Sequence, residues 1–466
     1  MSNSSIPVMT WEKVLLPERM RQRSKPEYKG SETFTENPFA NDKRRIILSA
    51  SFRRLQDKTQ VFPMNRGDFV RTRLTHSIEV ATLGSTLGNI VAQKLPGLSD
   101  ESREALSNIL ECAGYIHDIG NPPFGHYGEK CIRKWFVENL AALTLDGRAI
   151  SDILDPVMIS DFTHFEGNAQ GLRVVARLHS LKDDYGMNLT CPLLATMIKY
   201  PVSSLQTDPR SEDIRKHKMG YYYSEKELFE NLSEKLGTHG RRHPLTFLLE
   251  VADDIAYVTA DIEDAVKTGL ISFDDLMAVP DEYCKTRLQS ALEKASETGM
   301  PDREVNAVQN FLGWLRIKML NSASETFIDN IGPIMEGSYN REIMNGNDYE
   351  YYSVLRFLKD LEVRKVFSIK ETVEQEAKGG GYINELMDHY IHAAVRFDTG
   401  SETEEDRKIM DTMSESYMQK YKNAAADASE KERLYYRLQL VTDYICGMTD
   451  HYAAGGWKEA IDKKGK

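Results

Sequence analysis

The sequence predicts an almost all-α protein with one large helical domain, and three observations support this fold class. Apolar residues recur at helical spacing in several long segments; residues 73–95, for example, place Leu83, Leu87 and Val91 on one stripe. Alternating runs of β-branched residues, which strands require, are scarce. Hydrophobic residues make up 41% and charged residues 28% of the 466 residues, which is typical of a globular protein with a large core.

The helices can be placed in order from their start and stop signals. The segment 73–95 ends before Pro96-Gly97, and the next helix begins with a capping pattern at Ser99 or Ser102 and runs to Gly120. Further helices are expected from about Pro244 to Gly269 and over residues 304–322, 384–395 and 431–452. Loops are expected in the polar amino-terminal segment up to about Pro38, in "EAKGGGY" around Gly380 and in the acidic "FDTGSETEEDRK".

The chain shows no internal repeat or long low-complexity linker, so we divide it only coarsely. Residues 1–40 form an amino-terminal arm, 41–270 the core that carries the chemistry, and 271–466 a helical part packed on that core. No apolar run approaches the length of about 20 residues that a membrane span needs, and the amino terminus lacks a signal-peptide pattern. Five scattered cysteines without CxxC spacing favour reduced thiols, so we expect a cytoplasmic protein without a membrane partner.

The formal net charge is −12, so the surface as a whole should not attract nucleic acid or an anionic membrane. The charge is uneven, however. Between Lys43 and Arg73 there are nine basic residues, Arg54 and Arg66 among them, against only Asp57 and Asp68. This segment indicates either a local anion site or a solvated helix face.

One short stretch, "YIHDIGNPPFGHYGE" (residues 115–129), concentrates ligand-type side chains beside residues that stop a helix. His117 and Asp118 close a helix and can aim into a cleft, where imidazole and carboxylate suit a borderline or hard divalent ion. His76 is a candidate third ligand. The fourth should be a carboxylate on another helix, where adjacent residues point about 100° apart. Asp253 is preferred to Asp254 because it shares a face with Leu249, Tyr257 and Asp261.

A lone His, then His-Asp, then a distant Asp resembles the HD metal-dependent phosphohydrolase superfamily. More specific sequence motifs are "RRLQDKTQVFP…RTRLTHSIEV", "HDIGNPPFGHYGE", "HFEGNAQGLR", "IKYP", "EVADDIAY" and "VTDYICGMTDHYA". Together they resemble the bacterial deoxyguanosine triphosphate triphosphohydrolases (dGTPases). The resemblance runs from about residue 37 to 264 and resumes near the carboxy terminus. It implies an HD-domain helical core, here residues 41–270, with additional peripheral helices.

The resemblance also implies a reaction. A dNTP is cut between the 5′ oxygen and the α phosphorus, which gives a deoxynucleoside and intact tripolyphosphate. His76, His117, Asp118 and Asp253 fall on the metal ligands, and His126 and Glu129 on the proton-handling pair. A water held by Mn²⁺ or Mg²⁺, or by Co²⁺, Ni²⁺ or Fe²⁺, would attack, because metal binding lowers its pKa. His126 would protonate the departing 5′ oxygen, and Glu129 would fix the tautomer of His126.

Substrate contacts are assigned partly from charge and partly from the resemblance. A triphosphate carries about four negative charges and needs converging cations. The first candidates are Arg73 and the tripeptide Lys199-Tyr200-Pro201, and Arg54 is a further candidate. By resemblance, Gln60 and Asp261 meet the sugar 3′-hydroxyl, and Tyr257 packs under the sugar; Asp261 could instead be a solvated carboxylate opposite Lys267. His164 and Glu166 either contact the substrate or support the metal ligands, or they simply cap a helix.

Three functions remain open from the sequence. The first is a dNTP triphosphohydrolase with dGTP as its preferred substrate. The second is another HD-type nucleotidase or phosphodiesterase, and the third is a nucleotide- or single-stranded-DNA-binding regulator with a structural metal. Single-stranded DNA as an effector and a homo-oligomer, a hexamer by resemblance, are the further expected partners. The complete ligand set together with His126 and Glu129 favours the enzyme, since a structural site needs no proton pair.

Overall fold

The computed structural model describes residues 7–21, 37–60, 71–179 and 185–458. Arg66 and Asp68 of the basic segment therefore lie outside the described residues. The helices up to residue 173 are α1 Trp11–Val14, α2 Pro38–Ile47, α3 Ala50–Arg54, α4 Arg73–Lys94, α5 Asp100–Ile116, α6 Gly125–Asn139, α7 Ile150–Ile153, α8 Pro156–Thr163 and α9 Gly167–Arg173.

The later helices complete the described chain. They are α10 Cys191–Thr196, α11 Lys226–Leu236, α12 Pro244–Lys267, α13 Phe273–Met277, α14 Glu282–Glu297, α15 Arg303–Asp329, α16 Ile331–Glu336, α17 Tyr352–Glu362, α18 Lys370–Arg396, α19 Glu404–Met410, α20 Glu415–Ala425 and α21 Glu430–Cys446. Strands β1 Thr144–Leu145 and β2 Arg148–Ala149 form one antiparallel pair, the single sheet of the described residues. The all-α prediction is confirmed. Within the described ranges, no helix combines the length and the apolar character needed to span a membrane.

The helices that carry the expected metal ligands begin where local chemistry favours a start. Thr72 and Thr75 form a capping box at the first turn of α4, so its free backbone N–H groups find acceptors. Helix α12 starts at Pro244 after His243, whose Nδ1 accepts from the backbone N–H of Leu245. Both starts lie close to the predicted positions, because caps depend on local sequence.

Several other predicted boundaries are wrong. The "GGG" stretch around Gly380 is not a loop; it lies inside α18, which begins well before the predicted residue 384. Helix α15 continues past residue 322 to Asp329, and α21 ends at Cys446 rather than near residue 452. In the acidic segment only the first part is a loop, since α19 starts at Glu404. Tertiary packing overrides local propensity at these places.

Two buried hydrophobic clusters organise the described chain. The first cluster contains the inner faces of α4, α5, α12 and α15, with Leu87, Ile109 and Phe311 among its fully buried members. The second contains α6, α8, α18 and α21, with Phe136 and Tyr435 at its centre. The stretch 117–129 passes from one cluster to the other. Any site built on that stretch therefore draws residues from both clusters.

Polar side chains connect the carboxy-terminal motif "VTDYICGMTDHYA" to the stretch 117–129, where the chain passes between the two clusters. Buried Lys58 donates to the carbonyl oxygens of Asn121 and Cys446, each at 2.6 Å. Burial lowers the pKa of the Lys58 ammonium to about 8. Asp450 accepts from the backbone N–H groups of Thr59 and Phe124, at 2.9 and 3.0 Å. These hydrogen bonds connect α21 and the segment after it to the turn that follows His117 and Asp118.

We expect Lys58→Met to lower the free energy of unfolding by about 1–3 kcal/mol, because two buried carbonyl groups lose their donor. Chemical unfolding followed by circular dichroism measures the change. Lys43→Met is the matched control: Lys43 pairs with Glu111 at the partly exposed surface and should cost less than about 1 kcal/mol. Equal losses in the two variants would contradict this account of Lys58.

Candidate functional site

Four predicted metal ligands from three helices meet in the structure. His76 lies in the first turn of α4, His117 and Asp118 follow the last turn of α5, and Asp253 lies in the middle of α12. The donor atoms of His76, His117 and Asp118 all lie within 4.8 Å of one another. Asp253 Oδ1 is 3.3 Å from Nε2 of His76 and 3.4 Å from Nε2 of His117. The packing of α4, α5 and α12 brings His76, His117 and Asp118 together and places Asp253 beside the two histidines.

His117 is held with one nitrogen free. Its Nδ1 is 2.8 Å from the carbonyl oxygen of Gly114, which can only accept, so Nδ1 carries the hydrogen. Its Nε2 is buried and has no hydrogen-bond partner among the described residues. Burial lowers the pKa of His117, but the carboxylates of Asp118 and Asp253 outweigh burial and raise it overall. A buried imidazole nitrogen that faces two carboxylates without a well-aligned hydrogen bond fits a metal ligand.

The two carboxylates are charged and compensated. Lys199 Nζ lies 3.1 Å from Asp253 Oδ2; burial raises the pKa of Asp253, but Lys199 and His117 hold it well below its ordinary value. Arg73 pairs with Asp118 and likewise outweighs burial to lower the pKa of that carboxyl. Asp254, by contrast, pairs with Lys359 at 3.1 Å. The structure thus directs the two adjacent aspartates of α12 to different partners.

The guanidinium of Arg73 also connects the cluster to the next turn. A Cβ atom at Gly125 would lie 2.2 Å from one of its terminal nitrogens, and Gly125 has a φ of +57°. Only glycine permits this backbone conformation and this close approach together. Arg73 therefore passes directly over the start of α6, which carries His126 and Glu129.

His126 and Glu129 form a pair on the first turn of α6, with His126 Nδ1 3.5 Å from Glu129 Oε2. The His126 side chain is 74% exposed, whereas that of Glu129 is buried. The backbone N–H of Gly167 donates to Glu129 Oε1 at 3.1 Å. Burial raises the pKa of Glu129, but the contact with His126 and the charges of Lys218 and Arg133 lower it overall. Glu129 is therefore a fixed anionic acceptor beneath an accessible imidazole.

Glu166 and His164, predicted together, have different surroundings. Glu166 is buried, pairs with Lys218 at 3.1 Å and accepts from the side chain of Asn168 at 2.6 Å. Burial and the nearby Glu129 carboxylate raise the pKa of Glu166. His164 is exposed at the end of α8, where its Nδ1 lies 3.1 Å from the carbonyl oxygen of Ser160. Glu166 thus lies beside the His126–Glu129 pair, while the contacts of His164 are local ones that cap a helix.

The residues assigned to the sugar lie along α12 beyond Asp253. The ring of Tyr257 stacks parallel to that of Phe367, with centroids 6.4 Å apart. Asp261 is buried, and burial with the charge of Asp264 raises its pKa well above the ordinary value. Lys267 pairs with Glu263, so the alternative of a solvated Asp261 opposite Lys267 is wrong. Gln60 is half-buried, and its buried Oε1 has no hydrogen-bond partner in the described ranges.

The phosphate-side candidates and the basic segment are mostly engaged within the protein. Tyr200 lies half-buried next to Lys199, with the Arg242 guanidinium 5.9 Å from its ring centroid. Arg71 pairs with Glu79, Glu263 and Asp264, and Arg45 donates to the backbone carbonyls of residues 187 and 188. Arg54 lines a cavity with Tyr417 and Tyr452. The solvated-face interpretation is therefore wrong for Arg71 and Arg73, which bind carboxylates inside the protein.

Comparison with known proteins agrees with this geometry. Residues 73–154 match the HD domain family, and residues 349–459 match the phosphohydrolase-associated domain. A deoxyguanosinetriphosphate triphosphohydrolase-like protein of Listeria monocytogenes is 41% identical, covering 96% of this chain and 98% of that protein. The deoxyguanosinetriphosphate triphosphohydrolase of Enterobacter sp. (strain 638) is 33% identical, covering 90% and 92%.

The chain belongs to the deoxyguanosinetriphosphate triphosphohydrolase family. The predicted family is thereby confirmed. The HD match includes six residues of the site, namely Arg73, His76, His117, Asp118, His126 and Glu129, whereas Asp253 lies between the two matched domains. The phosphohydrolase-associated match includes Asp450, whose contacts reach the turn before His126.

The sequence reasoning missed several residues around the family's site. Lys58 lies inside a recognised sequence motif, but its role depends on Cys446, which is 388 residues away in sequence. Lys218 touches Glu166, and no local pattern marks it. Glu362 is buried, and burial and the Asp261 carboxylate raise its pKa well above the ordinary value. Asp450 and Lys58 each belong to a recognised motif, but neither motif shows which contacts the residue makes.

We expect the stabilising effect of Glu129 to depend on pH. Its folded-state pKa lies below the ordinary value of 4.5, so its contribution is present above that pH and is lost as the pH falls further. Glu129→Gln should lower the free energy of unfolding by about 1–3 kcal/mol at pH 7, and by less at pH 4. Urea unfolding at both pH values measures this. Glu138→Gln, at an exposed position of the same helix, should change little at either pH; a pH-independent loss in Glu129→Gln would contradict the prediction.

Proposed function

We propose that the protein is a metal-dependent dNTP triphosphohydrolase that converts dGTP and water to deoxyguanosine and tripolyphosphate. The observation that carries this proposal is the meeting of His76, His117, Asp118 and Asp253 beside the His126–Glu129 pair. A ligand set alone would serve a structural metal equally well. The adjacent accessible imidazole, backed by a buried carboxylate, adds the proton donor that hydrolysis needs.

The four clustered side chains are the proposed ligands of a divalent ion, Mn²⁺ or Mg²⁺, with Co²⁺, Ni²⁺ and Fe²⁺ as further candidates. Two imidazoles and two carboxylates form a mixed nitrogen and oxygen donor set that suits these ions. The orphaned Nε2 of buried His117 supports this assignment. When bound, such an ion lowers the pKa of water enough to supply hydroxide near neutral pH.

His126 is the proposed general acid for the departing 5′ oxygen. Its Nδ1 faces Glu129, so in the protonated ring Nδ1–H is directed to the carboxylate and Nε2–H is left for transfer. Glu129 holds that orientation and stabilises the positive ring. One positioned acid of this kind typically contributes about 10²–10⁴-fold to the rate. The Gly167 N–H fixes Glu129 in place, and Lys218 is proposed to balance the charges of Glu166 and Glu129.

The substrate's charged and apolar parts have matching surroundings. A triphosphate at the cluster would meet Arg73 and Lys199, which already lie against Asp118 and Asp253. Tyr200, next to Lys199, is a further proposed contact on this side. His164 is proposed as a contact through the part of its exposed ring that does not face Ser160. On α12, the Tyr257 ring offers a surface for the sugar. Asp261 and Gln60, each with a buried unpaired oxygen, are the proposed partners of the 3′-hydroxyl.

The larger organisation is proposed on the basis of family membership. We propose that the chain works in the cytoplasm as a homo-oligomer, a hexamer, and that single-stranded DNA acts as an effector. Residues 1–40 would be an arm, and 41–270 and 271–466 would act as one unit. The contacts of Lys58 and Asp450 across this division support joint action.

Incubation of the purified protein with each dNTP and Mn²⁺ or Mg²⁺ tests the proposal, with the products separated by ion-exchange chromatography. We expect tripolyphosphate and deoxyguanosine from dGTP. Diphosphate or monophosphate products would indicate another HD-type nucleotidase. No turnover of any dNTP, with or without single-stranded DNA, would indicate a binding protein instead.

Neighbouring aspartates on α12 provide a matched test of the metal assignment. We expect Asp253→Asn to lower Mn²⁺ affinity at least about 10-fold, because a charged ligand is lost. Asp254→Asn removes the same charge one residue away, at the pair with Lys359, and should leave the affinity within about two-fold. Isothermal titration calorimetry measures both. Equal affinities in the two variants would contradict the assignment of Asp253.

A further inference from the structure

Helix α18 contains three consecutive glycines, Gly379, Gly380 and Gly381, well inside its length. Glycine in a helix interior is destabilising relative to alanine, so three in a row weaken the helix considerably. Such a stretch persists in a packed helix when another group must come very close to the backbone. Each of the three glycines has different surroundings. These surroundings show which glycine is required by a close contact and which position could hold another residue.

The first glycine faces the turn before His126. A Cβ atom at Gly379 would lie 2.8 Å from Cγ of the Phe124 ring, closer than carbon atoms normally pack. A Cβ at Gly380 would meet Cε1 of the Tyr127 ring and Sγ of Cys131, at 2.9 and 3.0 Å. A Cβ at exposed Gly381 would meet nothing within 4 Å. The Phe124 ring against Gly379 is buried and has no room to retreat, whereas Tyr127 and Cys131 are half-buried and can turn toward solvent.

Phe124 itself is in an unfavourable backbone conformation, with φ +62° and ψ +19°. For a residue with a side chain this left-handed region is unfavourable, because Cβ approaches the following carbonyl oxygen. Two further contacts hold it there. Its backbone N–H donates to Asp450 Oδ1 at 3.0 Å, and its ring stacks on that of Tyr382, with centroids 6.1 Å apart. Both partners belong to the carboxy-terminal part of the chain.

We propose that Gly379 and Asp450 are positioning residues for the His126–Glu129 pair, because together they clamp Phe124 in the left-handed conformation that starts α6. This inference rests on the proposed function and adds a role for the carboxy-terminal part in the chemistry. Phe124 lies two residues before His126, so its backbone conformation sets where the His126 side chain begins.

The accessibility of His126 makes this backbone control necessary. Its ring is 74% exposed, and the 3.5 Å separation from Glu129 is longer than a strong hydrogen bond. Neighbouring packing therefore does little to place the imidazole. A displacement of about 1 Å at a catalytic group can cost on the order of 10²-fold in rate, so a small movement of the turn would be measurable. The metal ligands lie on α4, α12 and the end of α5, and the clamp does not touch them.

Gly379→Ala tests the proposal against Gly381→Ala, a control two residues away in the same helix. We expect Gly379→Ala to lower kcat on the order of 10- to 100-fold, with KM and Mn²⁺ affinity within about two-fold of the wild type. Hydrogen–deuterium exchange of the peptide covering residues 120–128 should become faster in this variant. Gly381→Ala should leave kcat and exchange unchanged. Gly380→Ala should have a smaller effect than Gly379→Ala, since the half-buried Tyr127 and Cys131 side chains can move aside.

A second comparison is available if Gly379→Ala does not fold. Asp450→Asn keeps an oxygen that can accept from the Phe124 N–H, whereas Asp450→Ala removes it, so the Asn variant should retain more kcat and slower exchange at residues 120–128. The proposal is overturned if Gly379→Ala matches Gly381→Ala in kcat and exchange. It is also overturned if the turn exchanges faster while kcat is unchanged, or if only KM or metal affinity changes.

These outcomes separate this inference from the proposed function. A wild-type protein inactive on every dNTP would count against the function and hence against a catalytic role for the clamp. The exchange comparison would still report whether Gly379 holds the turn. A wild type that releases tripolyphosphate, together with indistinguishable glycine variants, would overturn the positioning role alone.

Discussion

The structure depends on placing two carboxylates and two imidazoles at one point between α4, α5 and α12. Bringing charged carboxylates out of water is costly unless each has a partner. Asp118 has Arg73, and Asp253 has Lys199, so both charges are balanced within the protein. Arg73 can reach Asp118 only because Gly125 leaves room for its guanidinium. The requirement to compensate these charges therefore also fixes where α6 begins.

The two hydrophobic clusters divide the site between them. The proposed metal ligands are carried by helices of the first cluster, while His126 and Glu129 lie on α6, which packs in the second. Hydrophobic packing has no direction, so it cannot set the two halves in register by itself. Directional bonds from Lys58 and Asp450 across the boundary supply that register. The carboxy-terminal motif "VTDYICGMTDHYA" belongs to the site because it takes part in these hydrogen bonds, although it lies far from the proposed metal ligands in sequence.

How much the sequence could predict follows from how local each signal was. The start of α12 was predicted from capping and agrees with the structure. The choice of Asp253 over Asp254 came from the angle between adjacent helix residues and stays a prediction; Asp253 lies beside His76 and His117, and Asp254 pairs with Lys359. The glycines of α18 were predicted to form a loop because propensity was the only local signal. Their helix is stabilised by α6, whose sequence lies more than two hundred residues earlier. Lys58 could not be assigned for the same reason, since its acceptors are distant carbonyl oxygens.

The division between clusters also has a chemical consequence. A metal site must be rigid and compensated in charge, which buried helices of one core provide. A proton donor must instead reach a substrate that enters from solvent, so its ring stays exposed and its support comes from beneath. Glu129 is buried and held by the Gly167 N–H, while His126 above it is open. Placing the proposed donor on a separate cluster would let ion affinity and proton transfer respond to different parts of the chain.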